Sequence, residues 1–315
     1  MTYKLDRLAI IKASVTFESD IYVKDYTSKL VKSLLLTGNS RLVDVFEKHY
    51  GVPKPIHITP LFIETVEGGR KKKRAVYSGY VSPGGTAKPE DISRRIKPTV
   101  IRGGVEYTFY VGTTQELFPE VATALSSVDK FAFGAMQVSV AKLSYEVEYV
   151  NLGDEAEKIA EKLASSNTIK VVFESPAMLK DPLAIRREKK KKILLPLPEA
   201  IFSTPVYMVL LRRGKARRSV YVKTMLYMRS VLDIPYSAVK TVNIAWLVYR
   251  DKPIPGLVGY AKFYIDKEAL SRVEENMKRY NIDYAKTLGE AIAISRVLGV
   301  GTGRAAGFGH VSILL

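Results

Sequence analysis

Apolar and polar positions alternate along the chain in two successive blocks that share one order of elements. Leu5 to Phe17, with Leu8, Ile10, Ile11, Val15 and Phe17 apolar, reads as a strand. From about Val23 to Leu36 the apolar positions Leu30, Val31, Leu34 and Leu35 fall at helical spacing, and Gly38-Asn39 stops the helix. A short second helix is predicted over Ser40 to Lys48, capped by Ser40 and carrying Leu42, Val43, Val45 and Phe46. Ile56 to Val66 reads as a strand, with Ala75 to Val81 as its hairpin partner across the Gly68-Gly69 turn. A polar insert (83–99) leads to a strand over Val105 to Val111, a helix from Thr114 to about Ser126 and a long strand within 131–150.

The acidic, helix-prone stretch Asp154 to Leu163 reads as a linker, after which the order begins again. A strand covers Ile169 to Glu174, and helical segments fall near Pro198–Leu211 and Val220–Leu232. Val242–Tyr249 and Leu257–Ile265 form a predicted hairpin around Pro253-Ile254-Pro255-Gly256. A helix over about Thr287 to Leu298 and a strand from Phe308 to Leu314 complete the block. The expected fold class is α+β: two tandem ferredoxin-like (RRM-like, split βαβ) domains with a C-terminal glycine-rich loop. Their expected bounds are 1–152 and 168–315, with 153–167 as linker.

A length of 315 residues and 47% hydrophobic content allow two cores of ordinary size. No apolar run approaches the ~18 residues of a membrane span, and the first residues lack a secretory pattern. The expectation is a soluble, cytoplasmic protein with no membrane partner. With no cysteine and three histidines (His49, His57, His310), thiolate chemistry is excluded and a histidine-rich metal site is not expected. The Cys-free, Lys-rich and Ile-rich composition fits a thermophile.

Charge changes the picture most. The formal net charge is +17, and two runs hold most of it. Residues 70–74 read Arg-Lys-Lys-Lys-Arg. Residues 186–218 hold eleven basic side chains, including Lys189, Lys190, Lys191, Lys192, Arg212, Arg213, Arg217 and Arg218, against Glu188 and Glu199. Either run alone fits a solvated loop; the two together at a pI near 9.7 point to nucleic acid, whose phosphates release counterions when neutralised. Tyr207, Tyr221, Tyr227 and Tyr236 are interspersed among these clusters and suit stacking on unpaired bases, although most aromatics belong in the core.

The chain ends Gly299-Val300-Gly301-Thr302-Gly303-Arg304-Ala305-Ala306-Gly307-Phe308-Gly309-His310. Neither the dinucleotide fingerprint nor the P-loop pattern is present, and these glycines follow a helix and precede a strand, the reverse of the dinucleotide order. A tight structural turn is the plain alternative. A helix, then G-x-G-x-G-x-x-x-G-F-G, then a terminal strand resembles the glycine-rich loop of the RAMP (repeat-associated mysterious protein) superfamily, as placed in its CRISPR repeat-processing endoribonucleases. Gly259-Tyr260, Val172-Phe173-Glu174-Ser175-Pro176, and the helix pair followed by His49 and Thr59-Pro60-Leu61-Phe62 are similar to that family as well.

The resemblance implies metal-independent, cofactor-free cleavage of CRISPR repeat RNA, by attack of a 2′-hydroxyl that leaves a 2′,3′-cyclic phosphate. It places His49 as the acid–base histidine, with Tyr26, Lys29, Lys32 and Lys54 around it. Lys32, Ser33 and Leu34 occupy the slot nearest the family's tyrosine, which favours a lysine-assisted site. An exposed histidine at a helix end is the structural alternative for His49. His57 is expected to face solvent or RNA, and His310 to be structural or RNA-contacting. Gly299, Gly301, Gly303, Arg304, Gly307 and Gly309 would contact RNA. The alternative that the resemblance implies is a non-catalytic RNA-binding subunit of a CRISPR effector complex, and it leaves a homodimer open.

Overall fold

The structure, a computed structural model, describes residues 4–48, 52–82, 96–184, 191–235, 240–250 and 252–315. In the first half β1 (Arg7–Phe17) is the central strand, and every second residue from Ile11 to Phe17 is buried on one face. It pairs antiparallel with β8 (Glu106–Thr114) and β10 (Met136–Asn151), so that Ile11 opposes Val111 on one side and Val147 on the other. The helices α1 (Ser28–Gly38) and α3 (Phe118–Ser127) cover the apolar face. Between α1 and β8 lie α2 (Leu42–Glu47), β3 (Ile56–Ile58), β4 (Phe62–Glu67), β5 (Arg70–Ala75), β6 (Gly79–Ser82) and β7 (Thr99–Ile101). With β9 (Lys130–Phe133), the sheet order is β5-β4-β8-β1-β10-β9, and β3 adds to β8.

The second half repeats the plan. β11 (Thr168–Ala177), β15 (Val242–Tyr249), β16 (Lys252–Ile265) and β17 (Val311–Leu314) form a sheet ordered β17-β11-β16-β15-β6. Its apolar face is covered by α6 (Ser203–Arg212), α7 (Arg218–Val231) and α9 (Tyr284–Leu298). The tandem ferredoxin-like architecture is the expected one, and the differences lie at the joints.

Residues 154–163 are no loose connection. They belong to α4 (Leu152–Ser165), whose buried Leu152, Ala156, Ile159 and Leu163 join the second core beside α9. Asn151 caps its start by accepting from Gly153 N–H at 3.0 Å, and Lys267 Nζ donates to the carbonyl of Ala164 at 2.9 Å at its other end.

Two hairpins also differ from expectation. The partner of β4 is the basic run itself, β5, rather than Ala75 to Val81. A lysine-rich edge strand resists pairing with other chains, which gives this run a structural role. Gly79 to Ser82 crosses to the other half and pairs with β15, Trp246 opposite Tyr80. In the second hairpin the turn lies at Arg250, with Pro253 and Pro255 inside β16. Two residues apart, both prolines present their missing N–H to the same edge, beyond the point where regular pairing with β11 stops at Phe173.

Candidate active-site groove

The two halves are joined through the segment between α9 and β17. Tyr26, at the start of α1, is fully buried and donates its hydroxyl to the carbonyl of Gly307 at 2.9 Å; Ser175 Oγ, from β11, donates to the same oxygen at 3.0 Å. Ser28 Oγ donates to Ala306 O at 2.6 Å, and Thr204 Oγ1 to Gly301 O at 3.0 Å. Phe308 stacks on Tyr26 with ring centroids 4.9 Å apart, and Leu247 of β15 completes this small cluster. The amides of Val300, Thr302 and Gly309 are bonded within the protein, to Gly309 O, Met178 O and Pro176 O. Gly299, Gly301, Gly303, Gly307 and Gly309 all have positive φ. At Gly307 (φ +95°) a Cβ would also stand 2.3 Å from Ser28 Cβ, so only glycine fits.

Several expected site residues therefore have structural positions. Tyr26 is no acid or base: burial raises its hydroxyl well above the ordinary tyrosine value, and its proton is committed to Gly307 O. Arg304 is only 5% exposed and donates to Leu298 O at 2.8 Å and Lys54 O at 3.1 Å, so its guanidinium ties the loop to the first half. Arg212 and Arg213 both pair with the buried Glu290 of α9, at 2.7 and 3.0 Å, which takes them from the RNA-facing set. His57 does not face solvent. It is 1% exposed, its Nδ1 lies 3.0 Å from Arg304 O, and it stacks on His310 at 5.5 Å. Burial first, then the Arg304 charge, pushes His57 down to about 3, and burial likewise holds His310 well below the ordinary value.

Of the remaining expected cations, Lys32 and Lys54 line one groove of about 690 Å³, together with Arg250, Gly301 and Gly303 among others. Lys32 extends from α1 and ion-pairs with Glu47 at the end of α2. Lys54 donates to the carbonyl of Phe46. Burial first, and the Lys32 charge next, push the Lys54 ammonium below the ordinary lysine value, although Glu47 opposes the shift. Glu47 is held below the usual carboxylate range, chiefly by its hydrogen bond from Lys32, with Arg250 and Lys54 adding to the effect. Lys29 stands slightly apart, paired with Asp25 and 5.3 Å from the centre of the Tyr249 ring.

Arg250 was not legible as a site residue. It sits at the tip of the β15–β16 hairpin with φ +52°, and its backbone N–H donates to Asp25 Oδ1 at 3.1 Å. Only the turn's true position brings it opposite Lys32 and Lys54. His49 lies outside the described residues, as do Lys189 and Lys190. The described chain leaves α2 at Lys48 and resumes at Val52, which lines the groove with Pro53 and Lys54. Lys191, Lys192, Arg217 and Arg218 are exposed. Among the described residues no group of three His, Cys, Asp or Glu side chains is placed to hold a metal ion, and no helix is long and apolar enough to cross a membrane.

Residues 171–311, from the first strand of the second half to its last, match the family model of the CRISPR-associated endoribonuclease Cas6. Over that stretch the chain is similar to the Cas6 family. Its fold matches a Cas6 product complex with a TM-score of 0.60 at 14% identity, covering 99% of this chain and 100% of that one. Thermus thermophilus Cas6 gives 0.52 at 15% identity, covering 98% of each chain. A RAMP protein binding different RNA substrates gives 0.52 at 11%, covering 98% of this chain and all of that one. At such identities the likeness is one of fold, the tandem ferredoxin-like arrangement. No curated protein matches the chain in sequence.

Proposed function

We propose that the chain is a metal-independent endoribonuclease that cuts CRISPR precursor RNA within its repeats, using the groove at Lys32, Lys54 and Arg250. The observation that carries this reading is the partly desolvated Lys54, set among other cations beside the two ends of the chain that flank His49. The Cas6 match over residues 171–311 supports the substrate class.

The reaction moves one proton from the 2′-hydroxyl and one to the leaving 5′-oxygen, while negative charge grows on the phosphorane. His49 takes the first proton, since an imidazole is the side chain suited to hold or release a proton near neutrality. Lys54 gives the second, because a lowered pKa makes an ammonium a better acid near neutrality. Arg250 and Lys32 meet the phosphorane oxygens, where a partly excluded solvent lets their charge count for more than in bulk water. Glu47 orients Lys32 through their ion pair.

The test is a repeat RNA labelled at its 5′ end and incubated with excess protein in EDTA. A 2′,3′-cyclic phosphate product whose formation needs both His49 and Lys54 supports the reading. Tight binding without any cut would instead make the chain an RNA-binding subunit of an effector complex.

A further inference from the structure

A second pocket of about 440 Å³ opens beside the groove and shares Pro53, Thr204 and Thr302 with it. Its wall is aromatic. Tyr207 of α6 and Tyr221 of α7 meet edge to face, with centroids 5.9 Å apart at 87°, and Tyr221 OH donates to Ser203 O at 3.4 Å. That brace leaves the ring pair as a preset apolar surface with its polar end anchored. Its rim is cationic. Lys180 and Arg218 line the opening, and both are exposed. Arg218 donates to Ala184 O at 3.2 Å, which holds its guanidinium at the mouth.

The short ribbon beside the pocket adds a second observation. It consists of β12 (Leu179–Lys180) and β13 (Lys192–Ile193), and it sets Lys180 directly opposite Lys192. Like charges directly opposite one another destabilise a strand pair unless an anion lies between or over them. The nearby carboxylate of Asp181 accepts from Leu183 N–H at 2.9 Å, within the same hairpin. An aromatic floor with a cationic rim is the arrangement that holds a base by its π-face and the adjoining phosphate by its charge. The volume falls in the range of a small-ligand site and is too small for a base pair beside its partner strand.

We propose that this pocket takes one unpaired nucleotide of the RNA, next to the scissile phosphate, with its base against Tyr207 and its phosphate at Arg218 and Lys180. The proposal rests on the reading of the adjoining groove as the cleavage site. The two cavities share Pro53, Thr204 and Thr302 as lining, so they adjoin, and a strand lying over these residues would reach from the cations of the groove to the pocket. Thr204 also bonds Gly301 O, so the pocket's position is fixed to the glycine loop that lines the groove.

The test is an abasic scan of a repeat RNA made uncleavable by a 2′-deoxy nucleotide at the cut. Affinity is measured at each position for the parent, Tyr207→Ala, Tyr207→Leu and Arg218→Ala, with thermal melts to show that each variant folds. The expected result is one position, within a few nucleotides of the cut, where removing the base weakens parental binding by about 5–150-fold. At that position the same removal should cost Tyr207→Ala almost nothing. Arg218→Ala should lower the salt slope by about 0.7. Absence of any base position coupled to Tyr207, or equal weakening of intact and abasic RNA by both Tyr207 variants, overturns the proposal. A coupled position remote from the cut overturns it also. Coupling in a protein that never cuts leaves the subsite standing and removes the cleavage reading. Cleavage without coupling does the reverse.

Discussion

At the scale of single residues, side chains of one chemical type divide by what they touch. Tyr26 and Arg304 carry groups that suit RNA chemistry, yet both are buried with carbonyl partners. Tyr26→Phe should therefore lower stability by about 0.5–1.5 kcal/mol, the net worth of a hydrogen bond, since Ser175 still serves Gly307 O. Its single-turnover cleavage should stay within a few-fold of parental; a hundredfold loss in a folded variant would return Tyr26 to the chemistry. Lys54 is the opposite case. Lys54→Arg keeps the charge and loses the transferable proton, so cleavage should fall by about 10²–10⁴-fold. A substrate with sulfur as the leaving 5′ atom, which departs without protonation, should recover most of that loss. A near-parental Lys54→Arg would show that charge alone suffices. Helix spacing put Lys29 and Lys32 on one face of a helix, and the family resemblance set Lys54 beside them. The sequence could not show that Arg212 and Arg213 face Glu290, more than seventy residues further on, or that Arg250 arrives from another sheet.

At the scale of elements, most strands and helices followed from periodicity, and one miss fell where a partner from the other half decides. Gly79 to Ser82 has strand character in either hairpin, and only the open edge of β15 selects it. The glycine segment was legible as a special loop, but its bonding shows it foremost as the clasp between the sheets. Gly307→Ala should cost about 1–3 kcal/mol from backbone strain alone, with more from the clash at Ser28. An unchanged denaturation midpoint would contradict this. The stacked His57 and His310 give the clasp a pH dependence. The unfolded chain binds a proton at each histidine near pH 6.5, whereas folded His57 resists until about 3. Their stabilising contribution is complete above 6.5 and is lost as pH falls through that window. The parent should lose stability between pH 7 and 4.5, and His57→Gln should lose less; an equal drop would place the titration elsewhere.

At the scale of the molecule, the +17 charge is not one surface. Part lies in the edge strand β5, part is neutralised at Glu290, and part borders the groove and the ribbon of Lys180 and Lys192. Alanine at Lys189 to Lys192 should weaken RNA binding across sequences and flatten its salt dependence, by about 0.7 in slope per lost phosphate contact. An unchanged slope would make that run a solvated loop. The central claim is that the RNA's own 2′-hydroxyl is the nucleophile, assisted by His49 and by the cations of the groove. Its most direct measurement compares a repeat RNA with the same RNA carrying one 2′-deoxy nucleotide before the cut, both in EDTA. The account predicts rapid cleavage of the first to a cyclic phosphate, none of the second at that bond, and unchanged binding of both. Cleavage of the 2′-deoxy substrate at the same bond, or activity that EDTA abolishes and magnesium restores, would contradict it.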